Sequence, residues 1–242
     1  MRAVEQGGVA WLEAASLSAT GLVVHGFSTR LGGRRQLLEA LGLGRRPLVV
    51  ARQVHGDDLL VVRSAQEVPA VAEKEGDGLL TASPEVALAV LTADCLPVLL
   101  FDPRRRVVAA VHSGWRGTVR RISGKAVRRM VEEFGSAAQD LLVAIGPGIG
   151  PCCYEVDEPV LEQVAAAFPE VAEKLVTPSR EGRAYLDLRA AVRHDLKESG
   201  VPAENVTTVE ECTACCPDWF FSYRREGSGT GRMAAVIGLR EG

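Results

Sequence analysis

Nine short apolar runs, separated by turn-forming segments, constrain the fold of this chain more than any other feature. Several of them are apolar at consecutive positions instead of alternating with polar residues. Strands of that kind are covered on both faces, so their sheets must pack against helices or against another sheet. We expect strands at 22–28, 47–54, 58–63, 86–92, 96–101, 107–112, 141–146, 205–210 and 233–239.

Helical patterns alternate with these runs. The segment 117–134 repeats apolar residues at three-to-four-residue intervals, which predicts one amphipathic helix with an inward stripe of Val119, Ile122, Ala126, Met130 and Phe134. A second helix is expected to follow Asp157, an acceptable N-cap. No Ser/Gly linker or repeat divides the chain, which favours one domain over 1–242.

Composition limits the classes of partner and the cellular compartment. The net charge is −3 and no long cationic stretch occurs, which argues against nucleic acid or an acidic membrane surface. No segment approaches the ~18 consecutive apolar residues of a membrane span, and no export signal is evident at the amino terminus. We therefore expect a cytoplasmic protein whose six cysteines are thiols or metal ligands.

Three residues are candidate ligands of one metal ion: His55 in QVHG, Cys95 in TADC and His112 in VHSGWRG. The runs around Cys95 and His112 flank a turn signal and predict a hairpin. With Pro103 and Arg104 as its loop, Cys95 and His112 lie directly opposite each other. No local rule places His55. Three protein ligands leave a position open for water or substrate, which is typical of catalytic sites. The alternative is a buried thiol and two unrelated histidines.

A second group of cysteines is less readily interpreted. Cys212, Cys215 and Cys216 in ECTACC resemble half of a structural zinc site, which the pair at 152–153 could complete. Adjacent cysteines chelate one ion poorly, and no second CxxC occurs. We interpret this group as structural thiols, with a second metal as the less favoured alternative.

Two loops resemble anion-binding segments, and one of them is a candidate. Trp115, Arg116 and Gly117 are expected in the turn between a strand and a helix, where Arg116 could contact phosphate or a carboxylate, or simply cap the helix. The segment AIGPGIGPCCYEV looks like a phosphate loop, but Pro147 and Pro151 remove backbone donors and no GK[ST] follows. It is better interpreted as a rigid wall of a pocket.

The motifs HGFSTRLGG, QVHG, DGLLT, TADCLPVLLFD, AAVHSGWRGT, IGPGIGPCCYEV, FFSYRR and TGRMAAVIGL resemble one family along nearly the whole chain. It is the bacterial laccase-domain family, also called the polyphenol oxidase, YfiH-type or peptidoglycan editing factor family. The resemblance implies an α+β domain with layered mixed sheets between helices, an α/β/β/α-like arrangement. The stretch between Gly33 and Pro47 is shorter than is usual in the family.

The resemblance also implies a function. Family members hold zinc through two histidines and a cysteine that match His55, Cys95 and His112. They carry out phosphorolysis of adenosine, inosine or methylthioadenosine and deamination of adenosine, so the expected partners are a nucleoside and phosphate. Ser28 and Arg30 are implied to lie near the pocket. Cu²⁺ could replace Zn²⁺.

The mechanism expected from these residues combines a polarising metal with an arginine, Arg30 or Arg116, that positions phosphate. Asp94 is a weaker candidate for orienting a ligand or moving a proton, because strand alternation directs it away from Cys95. Alternatives are a cysteine-type amidase acting on a peptidoglycan precursor, a copper-dependent phenol oxidase, and a non-catalytic metal-binding protein. Four histidines without an HxH pair argue against a multicopper oxidase.

Overall fold

The computed structural model describes residues 1–241. The strands are β1 Arg2–Gln6, β2 Val9–Glu13, β3 Val23–Ser28, β4 Leu48–Val49, β5 Leu59–Val61, β6 Gly78–Thr81, β7 Ala87–Thr92, β8 Leu96–Asp102, β9 Val107–Ser113, β10 Leu142–Ile145, β11 Glu155–Asp157, β12 Val176–Pro178, β13 Arg183–Leu186, β14 Val206–Thr208 and β15 Met233–Leu239. The helices are α1 Ala15–Ser18, α2 Arg34–Ala40, α3 Val68–Ala72, α4 Trp115–Val119, α5 Ile122–Phe134, α6 Glu158–Ala167, α7 Ala172–Leu175, α8 Leu188–Glu198 and α9 Tyr223–Glu226. Short 3-10 turns occupy Ala65–Glu67, Ala138–Asp140, Ala203–Asn205 and Gly227–Gly229.

The strands form three sheets. The first sheet has the order β1-β2-β3-β15-β7-β4, and the second has the order β14-β10-β8-β9-β6-β5. A small third sheet, β11-β13-β12, lies beside them. Both large sheets mix antiparallel and parallel neighbours, since β4 runs parallel to β7 and β5 runs parallel to β6.

Strand β8 shows why the run 96–101 is apolar at every position. Val98 and Leu100 pack into a core shared with helices α5 and α8, whereas Leu99 and Phe101 pack into a core shared with the first sheet. Neither face of the strand meets solvent, and all seven of its residues are buried. At roughly 1.5–3 kcal/mol for each large apolar side chain buried, this double coverage contributes strongly to stability.

Helix α2 covers the outer face of the first sheet, where Leu37 packs with Trp11 and Val236. The layers are therefore helix, sheet, sheet and helix, and the predicted α+β class with its layered mixed sheets is confirmed. The shortened stretch after Gly33 contains this helix. Within the part of the chain that the structure describes, no helix has both the length and the apolar character needed to span a membrane.

The predicted register of the β8–β9 hairpin is wrong by two residues. Leu96 pairs with Ser113 and Pro97 pairs with His112, so Cys95 is not directly opposite His112. The loop has four residues instead of two, because the Asp102 carboxylate accepts hydrogen bonds from the backbone N–H groups of residues 104 and 105. Cys95 lies directly before β8, and its sulfur still lies within 4.8 Å of a His112 ring nitrogen.

The single helix predicted at 117–134 is two helices. Arg121 adopts a left-handed conformation with φ 61°, which ends α4 and starts α5 in a new direction. Ile122, Ala126 and Met130 are buried as expected. Trp115, Arg116 and Gly117 were expected in a turn, but they form the first residues of α4, which Gly114 caps. The helix after Asp157 begins where predicted, although the Asp157 side chain does not cap it.

A buried histidine of β3 gives a pH-dependent prediction. His25 accepts a hydrogen bond from the Ala14 N–H at Nε2 over 2.9 Å, and burial lowers the pKa of His25 to about 4. The unfolded chain takes up this proton near pH 6.5, so the stabilisation is complete above that pH and is lost as the pH falls towards 4. We expect the titration of His25 to lower the free energy of unfolding by about 2 kcal/mol as the pH falls from 7.5 to 5.

Urea unfolding of wild type and His25→Gln at several pH values tests this prediction. The amide oxygen of the introduced glutamine accepts the same hydrogen bond without titrating. The difference in pH dependence between the two unfolding free energies is therefore the contribution of the His25 titration. Equal pH dependence of the two unfolding free energies would contradict it.

Candidate metal centre and cavity

Three distant parts of the chain bring His55, Cys95 and His112 together. His55 lies in the loop between β4 and β5, Cys95 immediately precedes β8, and His112 is near the end of β9. One nitrogen of each imidazole and the Cys95 sulfur all lie within 4.8 Å of one another, and the ring centroids are 4.9 Å apart. His112 is buried, whereas the side of the group formed by His55 is exposed.

A buried carboxylate that the sequence analysis missed organises two of these residues. Asp77 accepts hydrogen bonds from the backbone N–H groups of Val54, His55 and Gly56 over 3.1, 3.1 and 2.7 Å. The same carboxylate lies 2.7 Å from His112 Nδ1. It thereby holds a proton on Nδ1, so that Nε2 is the nitrogen available to a metal, as is usual for a metal-binding histidine.

The electrostatics around Cys95 favour a thiolate. Burial by itself raises the pKa of this thiol, but hydrogen bonds and charges from His112 and His55 outweigh burial and lower it to about 6. Conversely, burial lowers the pKa of His112, while Asp77 and Cys95 raise it to about 9. A divalent cation can take the place of the proton that these groups share.

Two backbone features make room for the group. A Cβ atom at Gly114 would lie 2.9 Å from the Cys95 sulfur and 3.2 Å from His55 Cδ2, so only glycine fits beside them. His55 itself has φ 58°, a left-handed conformation that is uncommon for a residue with a side chain. The hydrogen bonds from the loop to Asp77 hold it there. These donors and this cradle fit a tetrahedral ion with three protein ligands.

The three residues lie in the wall of a cavity of about 700 Å³. Apolar and aromatic side chains supply most of the remaining wall, with two arginines and a few other polar residues at intervals. Such a mixture is typical of a small-molecule site. The other lining residues are Val50, Ala51, Gln53, Leu91, Thr92, Ala93, Asp94, Trp115, Ile149, Tyr154, Leu188, Tyr223, Arg224 and Arg232.

Asp94 reaches this cavity because it is not in a strand. It precedes β8 with φ 93°, so the alternation of side chains along a strand does not apply to it. One carboxylate oxygen accepts from Thr213 Oγ1 over 2.5 Å, and the other accepts from the Arg224 backbone N–H over 2.7 Å. Asp94 thus joins the segment before β8 to α9 and helps to position the wall.

The sequence-predicted residues for substrate lie outside the cavity lining. Ser28 is buried and accepts a hydrogen bond from the Ala234 N–H over 2.8 Å, which connects β3 to β15. Arg30 donates to the Pro217 carbonyl and lies over the ring of Phe221. Arg116 is exposed and lies over the ring of Trp115.

Arg224 and Arg232 are the cationic residues that line the cavity, and sequence analysis did not single them out. Arg224 lies over the Tyr154 ring and donates to the carbonyls of Cys153 and Glu155. The resemblance offered a signal, since FFSYRR contains Arg224 and TGRMAAVIGL contains Arg232. The segment 144–156 does contribute to the wall, through Ile149 and Tyr154.

These features define the class as an α+β protein whose candidate site is a cavity walled in part by two imidazoles and a thiol. The chain belongs to the family described as multi-copper polyphenol oxidoreductase laccase, whose model matches residues 24–240. The resemblance found in the sequence is confirmed.

Individual relatives are similar over most of their length. Purine nucleoside phosphorylase YlmD of Geobacillus stearothermophilus is 38% identical over 87% of this chain and 79% of the relative. Adenosine deaminase RL5 of an unknown prokaryotic organism is 35% identical over 86% of this chain and 80% of the relative. The crystal structure of YlmD from Geobacillus stearothermophilus superposes with a TM-score of 0.89 and 33% identity, covering 98% of both chains.

Proposed function

We propose that the protein is a zinc-dependent purine nucleoside enzyme that catalyses phosphorolysis of adenosine, inosine or methylthioadenosine and also deaminates adenosine. The observation that carries this proposal is the convergence of His55, Cys95 and His112 in the wall of a cavity large enough for a nucleoside. The names of the relatives, a purine nucleoside phosphorylase and an adenosine deaminase, support the reaction class.

Zinc suits these ligands, and a multinuclear copper centre does not. The chain has four histidines. His25 is buried with its Nε2 bonded to the Ala14 N–H, and His194 bonds Glu170 over 2.5 Å, so neither is part of this group. Two imidazoles and one thiolate remain, which is a ligand set of catalytic zinc. A single Cu²⁺ could occupy the same ligands.

The side chains of the cavity suit a nucleoside and phosphate. Tyr154, Tyr223 and Trp115 offer aromatic surface to a purine base, and apolar neighbours help to exclude water. We assign the phosphate contact to Arg224 and Arg232 in place of Arg30 and Arg116, because only the first two line the cavity.

The reaction then follows from positions and charges. In phosphorolysis, a phosphate oxygen held by the arginines attacks the anomeric carbon as the glycosidic bond breaks, and the base leaves with the bonding electrons and gains a proton. In deamination, water adds to the purine carbon that bears the amino group, and ammonia leaves. Bound zinc supplies a Lewis acid for these steps. Asp77 holds the imidazole of His112 in place, and Asp94 holds the segment that carries Arg224.

Chromatography of adenosine, inosine and methylthioadenosine, each incubated with the zinc-loaded protein with and without phosphate, tests the proposal. Adenine and ribose 1-phosphate that form only with phosphate indicate phosphorolysis, and inosine indicates deamination. Adenosine, inosine and methylthioadenosine all unchanged under both conditions would overturn it.

One observation favours a second candidate, a cysteine-type amidase. Asp77, His112 and Cys95 form a chain of contacts like that of a nucleophile, its base and the residue that orients the base. This candidate predicts a thioester trapped on Cys95 and activity that survives chelation of the metal. The zinc proposal predicts that chelation abolishes activity and that no covalent intermediate forms.

A further inference from the structure

Four cysteines outside the proposed active site form a compact sulfur cluster. It consists of Cys152, Cys153, Cys212 and Cys215, whose sulfur atoms all lie within 4.8 Å of one another. Cys215 Sγ lies 3.5 Å from Cys152 Sγ and 3.4 Å from Cys153 Sγ. Zinc bound to four thiolates at about 2.3 Å separates the sulfurs by about 3.8 Å, so these spacings suit one tetrahedral ion.

The backbone holds the two loops of the cluster firmly together. Gly148 forms a bridge with Cys212, and the Gly150 N–H donates to Cys212 Sγ over 3.1 Å. The buried side chain of Arg189 donates to the carbonyls of Gly148 and Glu211, one in each loop. A Cβ at Gly150 would lie 3.1 Å from Cys212 Cβ and 3.3 Å from Cys152 Sγ. The sulfur atoms are thus brought close by a prearranged backbone.

The adjacent pair of cysteines does not prevent chelation here. The turn closed by the bond from the Cys153 N–H to the Gly150 carbonyl, 3.0 Å long, presents both sulfurs to Cys215. Cys215 has two partners at almost equal distance, whereas a disulfide needs one partner at about 2.05 Å. An ion shared by all four sulfurs accounts for this symmetry, and a single disulfide does not.

We propose that Cys152, Cys153, Cys212 and Cys215 bind a thiophilic divalent cation, Zn²⁺ or a close relative, in a closed structural site separate from His55, Cys95 and His112. The bound ion would join the loop of Cys152 and Cys153 to the loop of Cys212 and Cys215, and these two loops support one wall of the cavity. One loop carries Thr213, which bonds Asp94, and the other carries Cys153, whose carbonyl binds Arg224. The four protein ligands leave no position for a substrate.

Metal analysis of protein purified under reducing conditions tests this proposal without using activity. We expect about two zinc ions per chain in the wild type, and about one in both Cys95→Ala and Cys215→Ser. Cys216→Ser is the matched control, since Cys216 neighbours the cluster without belonging to it, and it should keep both ions. Co²⁺-loaded Cys95→Ala should show the strong thiolate-to-metal charge-transfer absorption of a sulfur-rich site.

Three results would overturn the proposal. The first is Cys95→Ala protein that binds no metal, and this result decides the matter even if Cys215→Ser does not fold. The second is a metal content of Cys215→Ser equal to that of the wild type. The third is a disulfide from Cys215 to Cys152 or Cys153 that persists in protein purified under reducing conditions.

Discussion

Cys95→Ala should remove the metal of the active site and lower kcat/KM for adenosine by at least about a thousand-fold, because a metal supplies several kcal/mol of transition-state stabilisation. The expected loss has a structural cause. Of the three proposed ligands, Cys95 is the one that carries a negative charge as a thiolate, and the variant keeps only two neutral imidazoles. Metal content and initial rates measured on the same preparation test both parts of the expectation.

Cys216→Ser is the control for the loss of a thiol, since Cys216 lies in neither group of candidate ligands. It should retain the wild-type rate. Cys95→Ala protein that still turns over adenosine at a near wild-type rate would rule out a catalytic metal held by this residue. Metal retained in Cys95→Ala, together with a thioester that an amide substrate forms on Cys95 of the wild type, would instead support the amidase.

Asp77→Asn is expected to weaken zinc binding by about 10–100-fold, because outer partners of metal ligands have effects of this size. The carboxylate of Asp77 accepts from three backbone N–H groups and from His112. An asparagine offers one acceptor oxygen and turns an NH₂ towards the remaining donors. Unpaired buried donors should also destabilise the metal-free protein by about 1–3 kcal/mol.

Competition with a metallochromic chelator measures the affinity, and urea unfolding measures the stability. Asp57→Asn is the matched control, since Asp57 belongs to the loop that carries His55 and pairs with Arg120 and Lys125 at the surface. Such partly exposed pairs contribute about 0–1 kcal/mol. Equal zinc affinity in the two variants would show that Asp77 does not orient the ligands.

The hydrophobic pattern predicted the layers well, because a strand that is buried on both faces is apolar at consecutive positions in its own sequence. Leu99 and Val98 are neighbours in sequence and face different cores, which is why the run looks uniformly apolar. The hairpin register was not predictable in the same way. Its loop length depends on the Asp102 side chain capturing two N–H groups and on Arg106 adopting φ 53°. The break at Arg121 is likewise a backbone conformation that the helical period does not encode.

The candidate site was predictable in part. Cys95 and His112 share a hairpin, so the sequence could associate them even with the wrong loop, but His55 comes from a loop that no local rule positions. Asp77 was missed, although an acid directly before the apolar run of DGLLT was a usable signal. Pairing of β6 with β9 puts Asp77 beside His112, and this neighbourhood exists only in the folded sheet.

The loop that carries His55 is attached to both large sheets. The side-chain amide of Gln53 pairs with the backbone of Leu91 in the first sheet, over 2.8 and 2.7 Å, while Asp77 at the start of β6 holds the loop to the second. The position of the His55 imidazole therefore depends on how the two sheets are placed relative to each other. We therefore expect substitutions in the core between the sheets to change the spacing of His55 from Cys95 and His112 even where the protein stays folded.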